Sequence, residues 1–128
     1  NYETIGSAGC DVRSTHSEII YPGSSVLIKT GLFVEIPIGY EIQVRPRSGL
    51  AFKKKLTVLN SPGTIDADYR GEIGVILINH GTTSATIEKG DRIAQLVLNK
   101  VEQIEWSPAN ILTGTKRGDN GFGSTGNK

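Results

Sequence analysis

Along most of the chain, apolar and polar positions alternate in short runs of β-branched residues broken by glycine, proline and asparagine. A period of two of this kind marks strands with one buried face. The clearest runs are Val26-Leu27-Ile28, Leu32-Phe33-Val34-Glu35-Ile36, Tyr40-Glu41-Ile42-Gln43-Val44, Ile73-Gly74-Val75-Ile76-Leu77-Ile78 and Ile93-Ala94-Gln95-Leu96-Val97-Leu98, each about the usual strand length. Pro37-Ile38-Gly39 and Asn79-His80-Gly81 fall where turns are needed, since Pro fixes φ and Gly admits positive φ. Ser48-Gly49-Leu50-Ala51-Phe52-Lys53 reads as one helical turn capped by Ser48, too short to matter for the core. From about Ser107 the alternation gives way to Pro, Asn, Gly, Thr and Lys, which predicts a mobile arm. The pattern therefore predicts an all-β sandwich or barrel with very little helix. It divides the chain into a β domain over residues 1–106 and a flexible C-terminal arm over 107–128.

At 128 residues the chain has one domain's length, enough for a single core. Fourteen basic residues against thirteen acidic ones leave a net charge of +1. That balance argues against the broad basic field that nucleic-acid backbones require, so no nucleic-acid partner is expected and any anion is recognised locally. Cys10 is the only cysteine; it cannot close an intrachain disulfide, which suits a reducing compartment and makes a cytoplasmic setting the default, with a nuclear one open. No run approaches the roughly 20 apolar residues that span a bilayer, so no membrane partner is expected. A start at Asn1 rather than Met leads us to expect a short preceding leader, which could carry targeting information.

Several polar segments carry candidate chemistry. In the arm, Lys116-Arg117-Gly118-Asp119-Asn120-Gly121-Phe122-Gly123-Ser124-Thr125-Gly126 sets one guanidinium and one ring among glycines. Its composition reads as an ordinary disordered tail, but an exposed ring with no core to join suits closure over a base. Arg45-Pro46-Arg47-Ser48-Gly49-Leu50-Ala51 offers guanidinium forks, a hydroxyl and free amides to an anion; a basic edge strand with a capping serine explains it as well. Asn60-Ser61-Pro62-Gly63-Thr64-Ile65-Asp66-Ala67-Asp68-Tyr69-Arg70-Gly71-Glu72 would present its carboxylates and a tyrosine on one side of a hairpin, where a fixed carboxylate can take a proton from water. For Asp68 and Glu72, solvated ion pairing with Arg70 is the simpler expectation. Ala8-Gly9-Cys10-Asp11-Val12 and Gly90-Asp91-Arg92-Ile93-Ala94-Gln95-Leu96 complete the set, and neither is specific alone. His16 and His80 lack partners at metal-ligand spacing and read as surface residues.

Taken in order, these five segments resemble the five motifs of the trimeric dUTP pyrophosphatase (dUTPase) family, and they span the chain from Ala8 to Gly126. The resemblance implies a distorted jelly-roll-like β-barrel, a homotrimer whose active sites are shared, and hydrolysis of dUTP to dUMP and pyrophosphate by water attack at the α-phosphorus. Such an activity limits uracil in DNA and supplies dUMP for dTTP synthesis. It implies Asp66 as the group that orients and deprotonates the water, with Gln95 helping to place it. Arg47, Ser48 and Gly49 would grip the β- and γ-phosphates. Asn60 and the backbone of Gly63, Thr64 and Ile65 would read uracil and crowd out the methyl of thymine, and Tyr69 would reject ribose. The arm would fold over bound nucleotide, Phe122 lying on the uracil while Arg117, Gly123 and Ser124 hold the γ-phosphate. Mg2+ would be chelated by the phosphates, with Asp11 touching one of its waters.

Three departures from the family pattern stand out. Cys10 replaces a larger side chain, Pro62 stiffens the hairpin, and Asn120 replaces a frequent glycine, at a place where Asn tolerates positive φ. A dCTP deaminase, which shares the fold, is disfavoured by the hairpin and Tyr69. A non-catalytic regulator that kept the pocket is disfavoured by Asp66, Gln95 and Arg117.

Overall fold

The computed structural model describes residues 1–127. Nine strands and one short helix follow in the order β1 (Cys10–Arg13), β2 (Glu18–Ile20), β3 (Ser25–Lys29), β4 (Tyr40–Arg45), α1 (Ser48–Lys54), β5 (Leu56–Val58), β6 (Gly63–Ile65), β7 (Gly74–Asn79), β8 (Ala85–Ile87) and β9 (Arg92–Lys100). They form a four-stranded sheet β1-β9-β4-β6, a three-stranded sheet β3-β7-β5 and a two-stranded ribbon β2-β8. Every pairing is antiparallel. The all-β, jelly-roll-like expectation is thereby met.

Period-two alternation decides which face is buried. In β7, Val75, Leu77 and Asn79 are buried while Gly74, Ile76 and Ile78 are not, and on β5 Leu56 and Val58 pair with Asn79 and Leu77 on the same inner face. The four-stranded sheet meets this layer with Val12, Val44, Ile65 and Leu96. Each fully buried Ile or Leu stabilises the fold by roughly 1.5–3 kcal/mol. At Val12/Arg13 the β1–β9 register shifts, and the consecutive Ile93 and Ala94 at that bulge are both buried.

Four of the five sequence runs are strands, and one is not. Residues 32–36 carry no strand, although Ile73 N–H donates to the Leu32 carbonyl at 2.8 Å. Gly31 enters with φ +71° and donates its N–H to Glu72 Oε2 at 2.9 Å, and Pro37 follows, so a ladder cannot extend in either direction. The Pro37 turn itself forms, with Gly39 at φ +94° and Tyr40 N–H on the Pro37 carbonyl at 3.1 Å. Asn79 ends a strand rather than opening an exposed turn. Its fully buried side chain donates to the Ile20 and Thr83 carbonyls, both at 2.9 Å, and accepts from Gly81 N–H at 2.8 Å. Ser48 is the first helical residue and not the cap; Arg47, in an extended conformation, holds that place without a side-chain cap bond. Strand structure ends at Lys100, and residues 101–127 have neither helix nor strand.

Candidate functional site

Because β4 alternates, its polar side chains Glu41, Gln43 and Arg45 share the face of the four-stranded sheet turned away from the core. Register brings Gln95 opposite both Arg45 and Asp11, and Thr64 opposite Gln43. Most of the sequence-derived candidates in the β domain lie on this face or at its two ends.

At one end, β6 is an edge strand, so half of its backbone N–H and C=O groups have no strand partner. It walls a cleft of about 200 Å3 with Val44, Asn60, Asp66, Tyr69 and Ile73. The turn that follows is built locally. Tyr69 N–H donates to the Asp66 carbonyl at 3.1 Å, and Tyr69 Oη donates to the Glu72 carbonyl at 2.8 Å. The tyrosine ring lies over Gly71 so closely that a Cβ there would stand 2.4 Å from Oη. Arg70 bonds the Ala67 carbonyl at 2.7 Å and Glu72 bonds Gly31, so the ion pairing expected of Asp68, Arg70 and Glu72 is absent among the described residues. Asp66 is exposed and lines both this cleft and a neighbouring one of about 730 Å3 beside Glu41 and Val101.

At the other end the charged groups converge. Arg47 Nε lies 3.1 Å from Asp11 Oδ1, and Arg92 Nη1 lies 3.8 Å from Asp11 Oδ2. Gln95 Nε2 donates to the Pro46 carbonyl at 3.2 Å. Ser48 and Gly49 begin α1 beside them, both exposed. Arg45 does not join Arg47; its Nε and Nη2 fork onto Gln43 Oε1 at 3.0 and 2.8 Å. His80 is exposed, while His16 is partly covered and sits 3.2 Å from Glu18.

The arm is exposed almost throughout. Its Arg117 Nε donates to the Asn120 carbonyl at 2.8 Å, and residues 117–125 curl around a concavity of their own. The positive φ falls on Phe122 (+49°) rather than on Asn120. That is a strained region for an aromatic residue, and the ring is fully exposed.

Within one chain these groups do not meet. Asp66 follows Ile65, whose partner is Ile42, whereas Gln95 sits opposite Arg45. Four residues along the strands and two strand spacings across the sheet separate them, roughly 16 Å at about 3.3 Å per residue and 4.8 Å per strand. Sequence reasoning gave no role to Gly9, which packs against Gln95, or to Arg92, and it underrated Glu72, which anchors the hairpin to Gly31. Gly9 and Arg92 lie inside recognisable motifs, but only the three-dimensional register assigns them neighbours.

An all-β jelly-roll-like chain with a nucleobase-sized cleft beside an edge strand, and an arginine cluster at the far end of the same sheet, defines a class of small nucleotide-handling β-proteins. The family model for dUTPase matches residues 1–126, and the chain belongs to the dUTPase family. It is 60% identical over 127 residues to a deoxyuridine 5'-triphosphate nucleotidohydrolase of Desulfotalea psychrophila, with 98% of this chain and 85% of the relative covered. It is 57% identical over 127 residues to the enzyme of that name from Fusobacterium nucleatum, with 98% and 87% covered. Among solved structures, the G164S mutant dUTPase of Staphylococcus bacteriophage 80alpha with dUpNHpp is 28% identical. It superposes with a TM-score of 0.91 over 98% of this chain and 90% of the other.

Proposed function

We propose that the chain hydrolyses dUTP to dUMP and pyrophosphate at sites assembled from neighbouring copies of a homotrimer, each closed by an arm. The observation that carries the composite site is the separation of Asp66 from Gln95. A general base acts within about 3 Å of the proton it takes, or through one water, so two groups roughly 16 Å apart on one sheet can serve the same water only if they come from different chains.

In this reading the uracil enters the cleft of about 200 Å3. The unpaired backbone edge of β6 from Gly63 to Ile65, with Asn60, recognises its polar edge. Tyr69, held by Gly71 and the Glu72 carbonyl, packs under the deoxyribose where a 2'-hydroxyl has no room. Asp66 takes a proton from the water positioned with Gln95. The water oxygen forms a bond to the α-phosphorus, the bond from that phosphorus to the α,β-bridging oxygen breaks, and its electron pair leaves with pyrophosphate. Arg47, Ser48 and Gly49 donate to the charge that grows on the leaving group. Arg117, Gly123 and Ser124 of an arm hold the γ-phosphate, and Phe122 covers the base.

The residues fit magnesium carried by the substrate. Among the described residues no group of three or more His, Cys, Asp or Glu side chains could hold a metal ion, but Asp11 stands partly exposed beside Arg47, able to accept from a metal-bound water. When bound with the triphosphate, the ion would offset phosphate charge.

Pyrophosphate release from dUTP with magnesium, set against dTTP, dCTP and UTP, tests the activity. Only dUTP is expected to react. Asp66→Asn keeps the shape but loses the proton acceptor, so turnover falls about 10²–10⁴-fold while dUTP still binds. Absence of release from dUTP, or equal reaction of dTTP, overturns the reading.

A further inference from the structure

The geometry points to Gly9 as a positioning residue for the hydrolysis: its missing side chain is the space in which Gln95 Oε1 rests. This deepens the proposed function and rests on the role given there to Gln95. Gly9 precedes β1 and continues its register, with Cys10 opposite Leu96 and Asp11 opposite Gln95. A Cβ on Gly9 would stand 2.8 Å from Gln95 Oε1, 3.1 Å from the Leu96 carbonyl and 3.1 Å from Val97 Cγ2. Its φ is not in the left-handed region, so space and not backbone freedom requires glycine here.

The other end of the amide is fixed by chemistry. Pro46 offers a carbonyl, which can only accept, so the Gln95 group facing it at 3.2 Å is the Nε2 donor. Oε1 is thereby turned toward Gly9, and among the described residues it has no hydrogen-bond partner. An amide clamped at Nε2 and resting on a bare Cα holds an unused acceptor in one direction, as alignment of a water proton demands. Val97 shows how tight the place is. It is buried on the outer face of the sheet, outside the core cluster, and its Cγ2 is one of the atoms a Gly9 side chain would meet.

A double-mutant cycle separates positioning from a merely structural role. Gly9→Ala is expected to lower kcat for dUTP about 100-fold, the effect of a displacement on the order of 1 Å at a reacting group. Affinity for a non-hydrolysable α,β-imido dUTP stays within about twofold of the parent, because Gln95 touches the water and not the phosphates. In a Gln95→Ala background the same Gly9→Ala change has no further effect on kcat. If Gly9→Ala fails to assemble, Gly9→Ala/Val97→Ala removes one contact with the sheet and keeps the clash with Oε1; the same low kcat is then expected. Full turnover of Gly9→Ala, an equal loss in both backgrounds, or failure of both Gly9 variants to fold overturns the assignment. Full turnover of Gln95→Ala instead overturns the role of Gln95 itself, and absence of dUTP hydrolysis in the parent overturns the underlying function.

Discussion

Mixing two inactive variants gives the composite site a quantitative test. Asp66→Asn disables the hairpin end of the sheet and Gln95→Ala the opposite end, roughly 16 Å away on the same chain. Let the two be co-expressed in equal amounts under different affinity tags and assemble at random. Each site then takes Asp66 from one copy and Gln95 from another. The Asp66 supplier is the Gln95 variant in half of the cases, and the Gln95 supplier is the Asp66 variant in half, so about one quarter of sites are intact in a closed three-fold assembly. Pyrophosphate release from the mixture should reach about a quarter of the parent rate per chain, although each variant alone is down by about 10² or more. Had each chain carried its own complete site, no copy in the mixture would be intact and the rate would equal the sum of the residuals. A mixture no faster than that sum, in assemblies shown by both tags to contain both variants, refutes the argument from strand register.

Three further outcomes follow from the same contacts. Removing residues 112–128 should leave unfolding temperature nearly unchanged, since no described residue of the arm joins the core, while dUTP turnover falls to a small remnant; unfolding of the truncated chain by circular dichroism would contradict this. Gly71→Ala puts a methyl where Tyr69 Oη now lies, 2.4 Å from it, so the ring must shift; the ratio of kcat/KM for dUTP over UTP should fall about tenfold, as loss of a snug pocket contact does, and an unchanged ratio would remove Tyr69 from ribose rejection. Asn79→Ala deletes three bonds of a fully buried amide and strands the Ile20 and Thr83 carbonyls and Gly81 N–H. Stability measured at fixed chain concentration should drop by about 2–4 kcal/mol with the catalytic groups untouched.

What the sequence displays depends on how far an interaction reaches along the chain. Tyr40–Val44, Ile73–Ile78 and Ile93–Leu98 are long enough for a strand pattern to show and fall almost wholly within strands, and Val26–Ile28 marks the apolar middle of the five-residue strand Ser25–Lys29. The three-residue strands Glu18–Ile20, Leu56–Val58, Gly63–Ile65 and Ala85–Ile87 are too short for any period to emerge; only pairing with distant partners makes them strands. Leu32–Ile36 errs the other way, since its pattern is right and its backbone is spoiled at Gly31 and Pro37. The hairpin, arginine and arm motifs were visible as residue types, but distance between them is a property of register. Nothing local in the sequence says that Asp66 and Gln95 lie at opposite ends of β4, or that Gly9 faces Val97 and its neighbour Gln95.

The same logic explains how a chain of this composition can afford an arm without a core. Ordering one residue's backbone costs roughly 1–2 kcal/mol, and residues 101–127 are almost all exposed, with no strand or helix to offset that cost. Arg117 turns onto its own backbone and Phe122 stands in solvent at a positive φ, so neither side chain stabilises the isolated subunit. In the proposed site both acquire partners at once, the guanidinium a phosphate and the ring a base. Binding then supplies the free energy that folding of the arm lacks, and an incomplete ligand supplies too little. Nucleotides without the γ-phosphate should therefore leave the arm as accessible to limited proteolysis as in the free protein, whereas α,β-imido dUTP should protect it. Equal cleavage with both would separate arm closure from triphosphate recognition.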